Sequence, residues 1–178
     1  MLTMKRIILF FIFTAIFTVV YGTSAVTSEP TEEEIQEIMG FFDELVGTID
    51  GIGIFVHNTT LALPMFIPGF GVAWGLFSAY STGFAYSAIA ATNTDIAQLN
   101  PLVVLLTPFG LMEMAAYSIA MSRSILLAKN IYQKNWNLLK NEKLILSVEI
   151  GIVVTLLLSG GIIEMWMIET SQGMEGIA

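Results

Sequence analysis

Cysteine is absent from the 178 residues, histidine occurs once (His57), and seven basic residues stand against fifteen acidic ones. The lack of cysteine excludes a disulfide scaffold, a thiolate metal site and a cysteine nucleophile. A net charge of -8 excludes the basic footprint of a nucleic-acid binder. Charge of either sign is scarce: 12% of residues are charged, about half the share usual in a soluble domain. Apolar residues fill the gap, at 55% of the chain. These proportions describe a small integral membrane protein rather than a soluble enzyme.

The few charges are segregated. Lys5 and Arg6 stand at the N-terminus, and Arg123, Lys129, Lys134, Lys140 and Lys143 fall in one stretch before the last apolar run. Eight acidic residues lie between 29 and 50, with no basic residue among them. Such separation suggests the two sides of a membrane. The positive-inside rule then places Lys5, Arg6 and residues 123–143 in the cytoplasm. The acidic stretch, Asp95 and the C-terminus fall outside.

Five apolar runs are consistent with that charge pattern. Residues 7–26 follow Lys5-Arg6 and end in small residues, a pattern shared by an anchor helix and a signal peptide; we read a retained helix. Gly51–Ile67 and Gly69–Ala91 form a Pro-broken hairpin around Ile67-Pro68-Gly69, which a re-entrant pair would also satisfy. Pro101 to about Met121 is a fourth span, with Pro108 inside it, and Leu144–Ile168 is the last. The expected fold is an all-α, multi-pass bundle of about five spans, or four if the N-terminal segment is cleaved. An acidic amphipathic outer helix over 31–49 completes it. Thr31 and Glu34 make a capping box there, and Ile35, Ile38, Met39, Phe42, Leu45, Val46 and Ile49 form one apolar stripe. Trp136 and Tyr132 suit the headgroup level of the basic stretch.

Small residues predict how the spans pack. Gly71, Gly75, Ala79, Gly83, Ser87 and Ala91 recur every four residues, and such a stripe allows the close backbone approach that holds helices together in lipid. Gly151, Thr155 and Ser159 give a shorter stripe on the last span. Both are expected to face neighbours within the protomer.

Ionisable groups in hydrocarbon are expensive unless paired or hydrated, so each intramembrane polar residue is a functional candidate. Helical rise puts Glu113 roughly 18 Å along the fourth span, near the midplane. His57 lies roughly 9 Å below the outer end of its span and Glu164 roughly 6 Å below the outer end of the last, depths that allow a His57–Glu164 contact. Asn58 is placed to bridge helices, and Glu149 to reach Lys143 or another basic group.

His57-Asn58, the Pro-Gly turn, the small-residue spacing, Pro108-Phe109-Gly110-Leu111-Met112-Glu113-Met114-Ala115 and Ile163-Glu164 together resemble the stage II sporulation protein M (SpoIIM-like) family over about residues 50–168. The resemblance picks out Asn58, Pro108, Gly110, Glu113 and Glu164. The family's histidine in the Pro-His-Gly stretch is Phe109 here, so no role needing that histidine is expected. It implies a multi-pass membrane protein without catalysis of its own, which in spore formers belongs to a cell-wall-remodelling complex. The sporulation process itself is not carried over. On this reading the chain divides into an anchor or signal peptide (1–28), an acidic extracytoplasmic helix (29–50), a SpoIIM-like membrane domain (51–168) and a short extracytoplasmic tail (169–178).

Three functions stay open. The first is a non-catalytic scaffold or accessory subunit of a larger cell-envelope complex, with other membrane or extracytoplasmic proteins, or further copies of itself, as partners. The second is a small transporter using Glu113 at the midplane, since broken helices near polar groups build many transport sites. The third is a copper-binding subunit using Met112, Met165, Met167 and His57, thioethers being suited to Cu(I). Residues two apart on a helix face different ways, so the methionines are expected to be apolar filler, with no cofactor and no metal. No nucleophile stands beside a base, so no catalytic residue is assigned.

Overall fold

The computed structural model describes residues 3–48, 51–134 and 136–175, without the side chains of 42–51, 136–141 and 171–175. Phe42, Leu45, Val46 and Ile49 of the expected stripe, Trp136 and Lys140 therefore fall outside the described side chains. The described residues are all-α, with no strand among them. The helices are α1 (Met4–Thr27), α2 (Glu32–Thr48), α3 (Gly51–Ala62), α4 (Phe70–Thr92), α5 (Thr94–Ala97), α6 (Leu102–Leu105), α7 (Pro108–Tyr132) and α8 (Trp136–Glu175), with a 3-10 turn over Leu63–Phe66 after α3.

Local chemistry sets the boundaries. At α2 the capping box forms as the pattern predicts: the Thr31 amide donates to Glu34 Oε2 at 2.8 Å, and the Glu34 amide donates to Thr31 Oγ1 at 3.3 Å. Pro64 tightens the end of α3 into the 3-10 turn, and Trp74 Nε1 donates to the Leu61 carbonyl at 3.0 Å. Gly69 then takes a φ of 78°, a left-handed conformation suited to glycine, and α4 begins. The polar segment after α4 holds the short α5, because the Asn93 side chain caps the amides of Asp95 and Ile96.

The fourth span is corrected. Instead of running from Pro101 to about Met121 with Pro108 inside it, the chain forms the separate α6, breaks at Thr107, and then runs as a 25-residue helix to Tyr132. Pro108 stands in the first helical turn, where its missing N–H is no loss, and Thr107 Oγ1 accepts the Gly110 amide at 3.1 Å. Helix α8 is longer than expected: 40 residues, or about 60 Å, against a hydrocarbon core of about 30 Å.

Among the described residues three helices are both long and apolar enough to cross a membrane: Met4–Thr27, Pro108–Tyr132 and the Glu142–Thr170 part of α8. Helix α4 has 23 residues and is not among these three. Ile52–Phe66 is apolar but short. Ser124 Oγ on α7 donates to the Ile67 carbonyl at 2.6 Å, which fixes the tip of the α3–α4 hairpin beside the C-terminal half of α7. At the other end Tyr21 OH donates to the Pro101 carbonyl and Ser24 Oγ to the Tyr80 carbonyl, at 3.0 and 2.8 Å.

Phe13, Phe17, Tyr21, Met65, Tyr117, Met121, Val153 and Leu157 form the core. The small stripe of α4 is buried at Gly71, Gly75, Ala79, Gly83 and Ser87, while Ala91 is exposed. A Cβ on Gly83 would stand 2.4 Å from the Tyr21 carbonyl oxygen, and one on Gly75 2.4 Å from Met121 Sδ. The α8 stripe is corrected: Gly151 and Thr155 are exposed, with open space where a Gly151 Cβ would go. The packed face carries Glu149, Val153, Leu157 and Gly160 instead.

Candidate functional site

Three of the candidates come together where α3, α7 and α8 meet. Asn58 is buried, and its Nδ2 donates to Glu113 Oε1 at 2.5 Å. Glu164 on α8 interacts electrostatically with Glu113, and both act on the hydroxyl of Tyr117, one turn further along α7. The meeting follows from the corrected start of α7. Counted from Pro108, Glu113 lies about 8 Å from the helix end rather than near its middle, which brings it close to the depth of Asn58 and Glu164.

Pro108 and Gly110 shape this site without touching it. A Cβ on Gly110 would stand 2.3 Å from the Val104 carbonyl oxygen, so glycine lets α6 fold tightly over the start of α7. Phe109, at the family's histidine position, passes its backbone close to Gly160 of α8. His57 does not join. No hydrogen bond or ion pair links it to Glu164; its ring packs on Phe41, with centroids 6.0 Å apart. Adjacent residues on a helix point about 100° apart, so burying Asn58 turns His57 outward.

The methionines do not gather round this histidine. Met112 lies against Gly160, Met165 is half-buried and Met167 is exposed. Among the described residues no group of three or more histidines and carboxylates could hold a metal ion.

At the opposite end a second polar group forms, with Glu149 on basic groups other than Lys143. Glu149 of α8 is buried between Arg6 of α1 and Arg123 of α7, in ion-pair contact with both. Glu142 Oε2 lies 3.3 Å from Arg123 Nη1. The Arg123 side chain is 2% exposed, although its place in the sequence is a basic surface stretch. The signal was present: Ser118, Ser122, Ser124 and Ala120 surround it in a run of small residues that continues the helix. Glu149 meets the two arginines rather than Lys143, which is exposed.

Between the two groups two hydroxyls of α1 reach α7. Thr14 Oγ1 donates to Ser118 Oγ at 3.0 Å, and Thr18 Oγ1 meets Met114 Sδ at 3.3 Å, both tying α1 to α7. Such bonds matter in lipid, where no water completes an unmet polar group.

No curated protein and no solved structure matches the chain. The family model of stage II sporulation protein M, in contrast, matches residues 7–167. It takes in α1 and α2 as well as the region beyond residue 50, and α1 carries Phe13, Phe17 and Tyr21 of the common core. With that match over almost its whole length, and with helices apolar enough to span a bilayer, the chain belongs to the SpoIIM family of membrane proteins.

Proposed function

We propose that this protein is a non-catalytic scaffold or accessory subunit, which holds a place in a larger membrane complex and presents α2 to an extracytoplasmic partner. The observation that carries this reading is the half-covered face of α2. Ile35, Ile38 and Met39 are only half-buried, Phe41 is 48% exposed, and Glu32, Glu33 and Glu37 are exposed beside them. A half-covered apolar face flanked by one sign of charge fits a docking helix for a basic, amphipathic partner. The groups inside the bundle mostly satisfy one another, as a structural brace would.

The orientation belongs to the same proposal. Five transmembrane passes, with α3 and α4 as a full-depth hairpin and α1 retained, put Arg6, Arg123 and Lys129 in the cytoplasm. Support comes from the Arg6–Glu149–Arg123 cluster, which gathers the start of α1, the C-terminal half of α7 and the first part of the α8 span. Met39 of α2 meets Thr92 at the far end of α4, on the acidic side.

The test is co-purification. The tagged chain, solubilised mildly from its native membrane, should carry other membrane or envelope proteins in fixed ratio, and Ile35→Asp/Ile38→Asp should release them without unfolding the bundle. Isolation of a folded chain alone, or equal recovery with that variant, would sink the reading.

One observation favours a transport role as the second reading. Glu113 and Glu164 are two like groups at similar depth, an arrangement that can share a proton or a cation. Solute flux in liposomes, lost in Glu113→Gln while partner recovery is unchanged, would select it.

A further inference from the structure

The basic residues at the Arg6 end divide into two kinds. Arg6 and Arg123 point inward and are met by Glu149 and Glu142, so this buried group is close to neutral as a set. Lys5 and Lys129 point outward, and among the described residues neither makes an ion pair. Both line the same cavity, of about 650 Å³, between α1 and α7. Ile8, Leu9 and Ile125 form its wall and Tyr132, 89% exposed, stands at its rim. No acidic residue lines it.

We propose that this cavity binds one anionic phospholipid, its phosphate between Lys5 and Lys129 and its acyl chains along Ile8, Leu9 and Ile125. Each feature answers one part of such a ligand. Helical rise puts Lys129 about 9 Å beyond Arg123 towards the helix end, where a headgroup would lie, with the apolar wall running back along the helices. An ammonium on a flexible stem suits a phosphate of variable pose, whereas the guanidinium groups are already committed to carboxylates. Two unpaired cations over a neutral base give the cavity a net positive field, which a zwitterionic lipid does not answer. The aromatic ring at the rim belongs at the headgroup level. A free inorganic anion would use the lysines but leave the apolar wall bare.

The test uses the full chain in mild detergent. Thermal unfolding and native mass spectrometry are followed while phosphatidylglycerol, phosphatidylcholine or inorganic phosphate is added. Phosphatidylglycerol should raise the midpoint and remain bound as one molecule per chain, with phosphatidylcholine and phosphate inert. Lys5→Gln and Lys129→Gln should each weaken that preference roughly fivefold, and Lys143→Gln, outside the cavity, should leave it unchanged. If the double lysine variant does not fold, Lys129→Gln alone must show its fivefold loss. Equal stabilisation by phosphatidylcholine or by phosphate, a preference that survives both lysine changes, or an equal loss in Lys143→Gln would overturn the proposal.

Discussion

Asn58 on α3 and Glu113 on α7, 55 residues apart in sequence, share a hydrogen bond of 2.5 Å between Nδ2 and Oε1. An amide donor in a nearly anhydrous interior has few other acceptors, so the acceptor oxygen matters more than the charge behind it. Glu113→Gln keeps an oxygen there and removes the repulsion from Glu164. Glu113→Ala leaves the Asn58 amide unmet, which costs about 1–3 kcal/mol. The alanine variant should therefore unfold well before the glutamine variant in detergent melts. Coincident melting curves would mean the contact does not hold α3 to α7.

Glu149 is the hinge of the other cluster, and its two arginines make its loss severe. Arg123 and Glu149 are both almost wholly buried, so removing one partner strands a charge, at about 3–5 kcal/mol. Arg123→Ala and Glu149→Ala should each destabilise strongly. The double variant should lose clearly less than the sum, because the second change removes the stranded partner. A double-mutant cycle read from unfolding midpoints checks this, and strict additivity would rule out the pairing.

Much of the architecture was legible because the bilayer restricts the choices. The all-α class, the capping box at Thr31, the Pro-Gly turn at residue 68 and the buried stripe of α4 all followed from local rules. The misplaced fourth span traces to one residue. Pro108 read as a kink inside a span, yet proline is equally at home in the first helical turn. That choice moved the start of α7 by seven residues, put Glu113 too deep and left Arg123 in a surface segment. The two polar clusters then stayed hidden, since each needs residues from helices far apart in sequence. Similar depth allows a His57–Glu164 contact, but depth does not say which way a ring points.

The cap of α2 sets a local pH dependence. Backbone and side-chain hydrogen bonds from Thr31 hold the Glu34 carboxyl below its ordinary value of 4.5. A depressed carboxyl stabilises the folded helix start above its unfolded pKa and loses that contribution as pH falls through its lowered folded value. The first turn of α2 should thus be firm at pH 6 and fray under acid conditions. Carbon-detected NMR of Glu34 checks it: the titration midpoint should lie below the ordinary carboxyl value and return towards it in Thr31→Ala. An unchanged midpoint in that variant would remove the capping box as the cause.

Three glycines should respond to the same substitution in three ways. Gly83 faces the carbonyl oxygen of Tyr21, and backbone cannot swing aside, so Gly83→Ala must push α4 away from α1. Overpacking of this kind costs about 1–3 kcal/mol, occasionally more. Gly75 faces the side chain of Met121, whose thioether can take another rotamer, and Gly75→Ala should lose less. Gly151 has nothing within 4 Å of its missing Cβ, and alanine favours a helix over glycine, so Gly151→Ala should melt at or slightly above the parent temperature. The order Gly151→Ala, Gly75→Ala, Gly83→Ala, from most to least stable, is read from thermal unfolding in one detergent. A Gly83→Ala protein as stable as the parent would mean that α1 and α4 do not approach as closely as 2.4 Å requires.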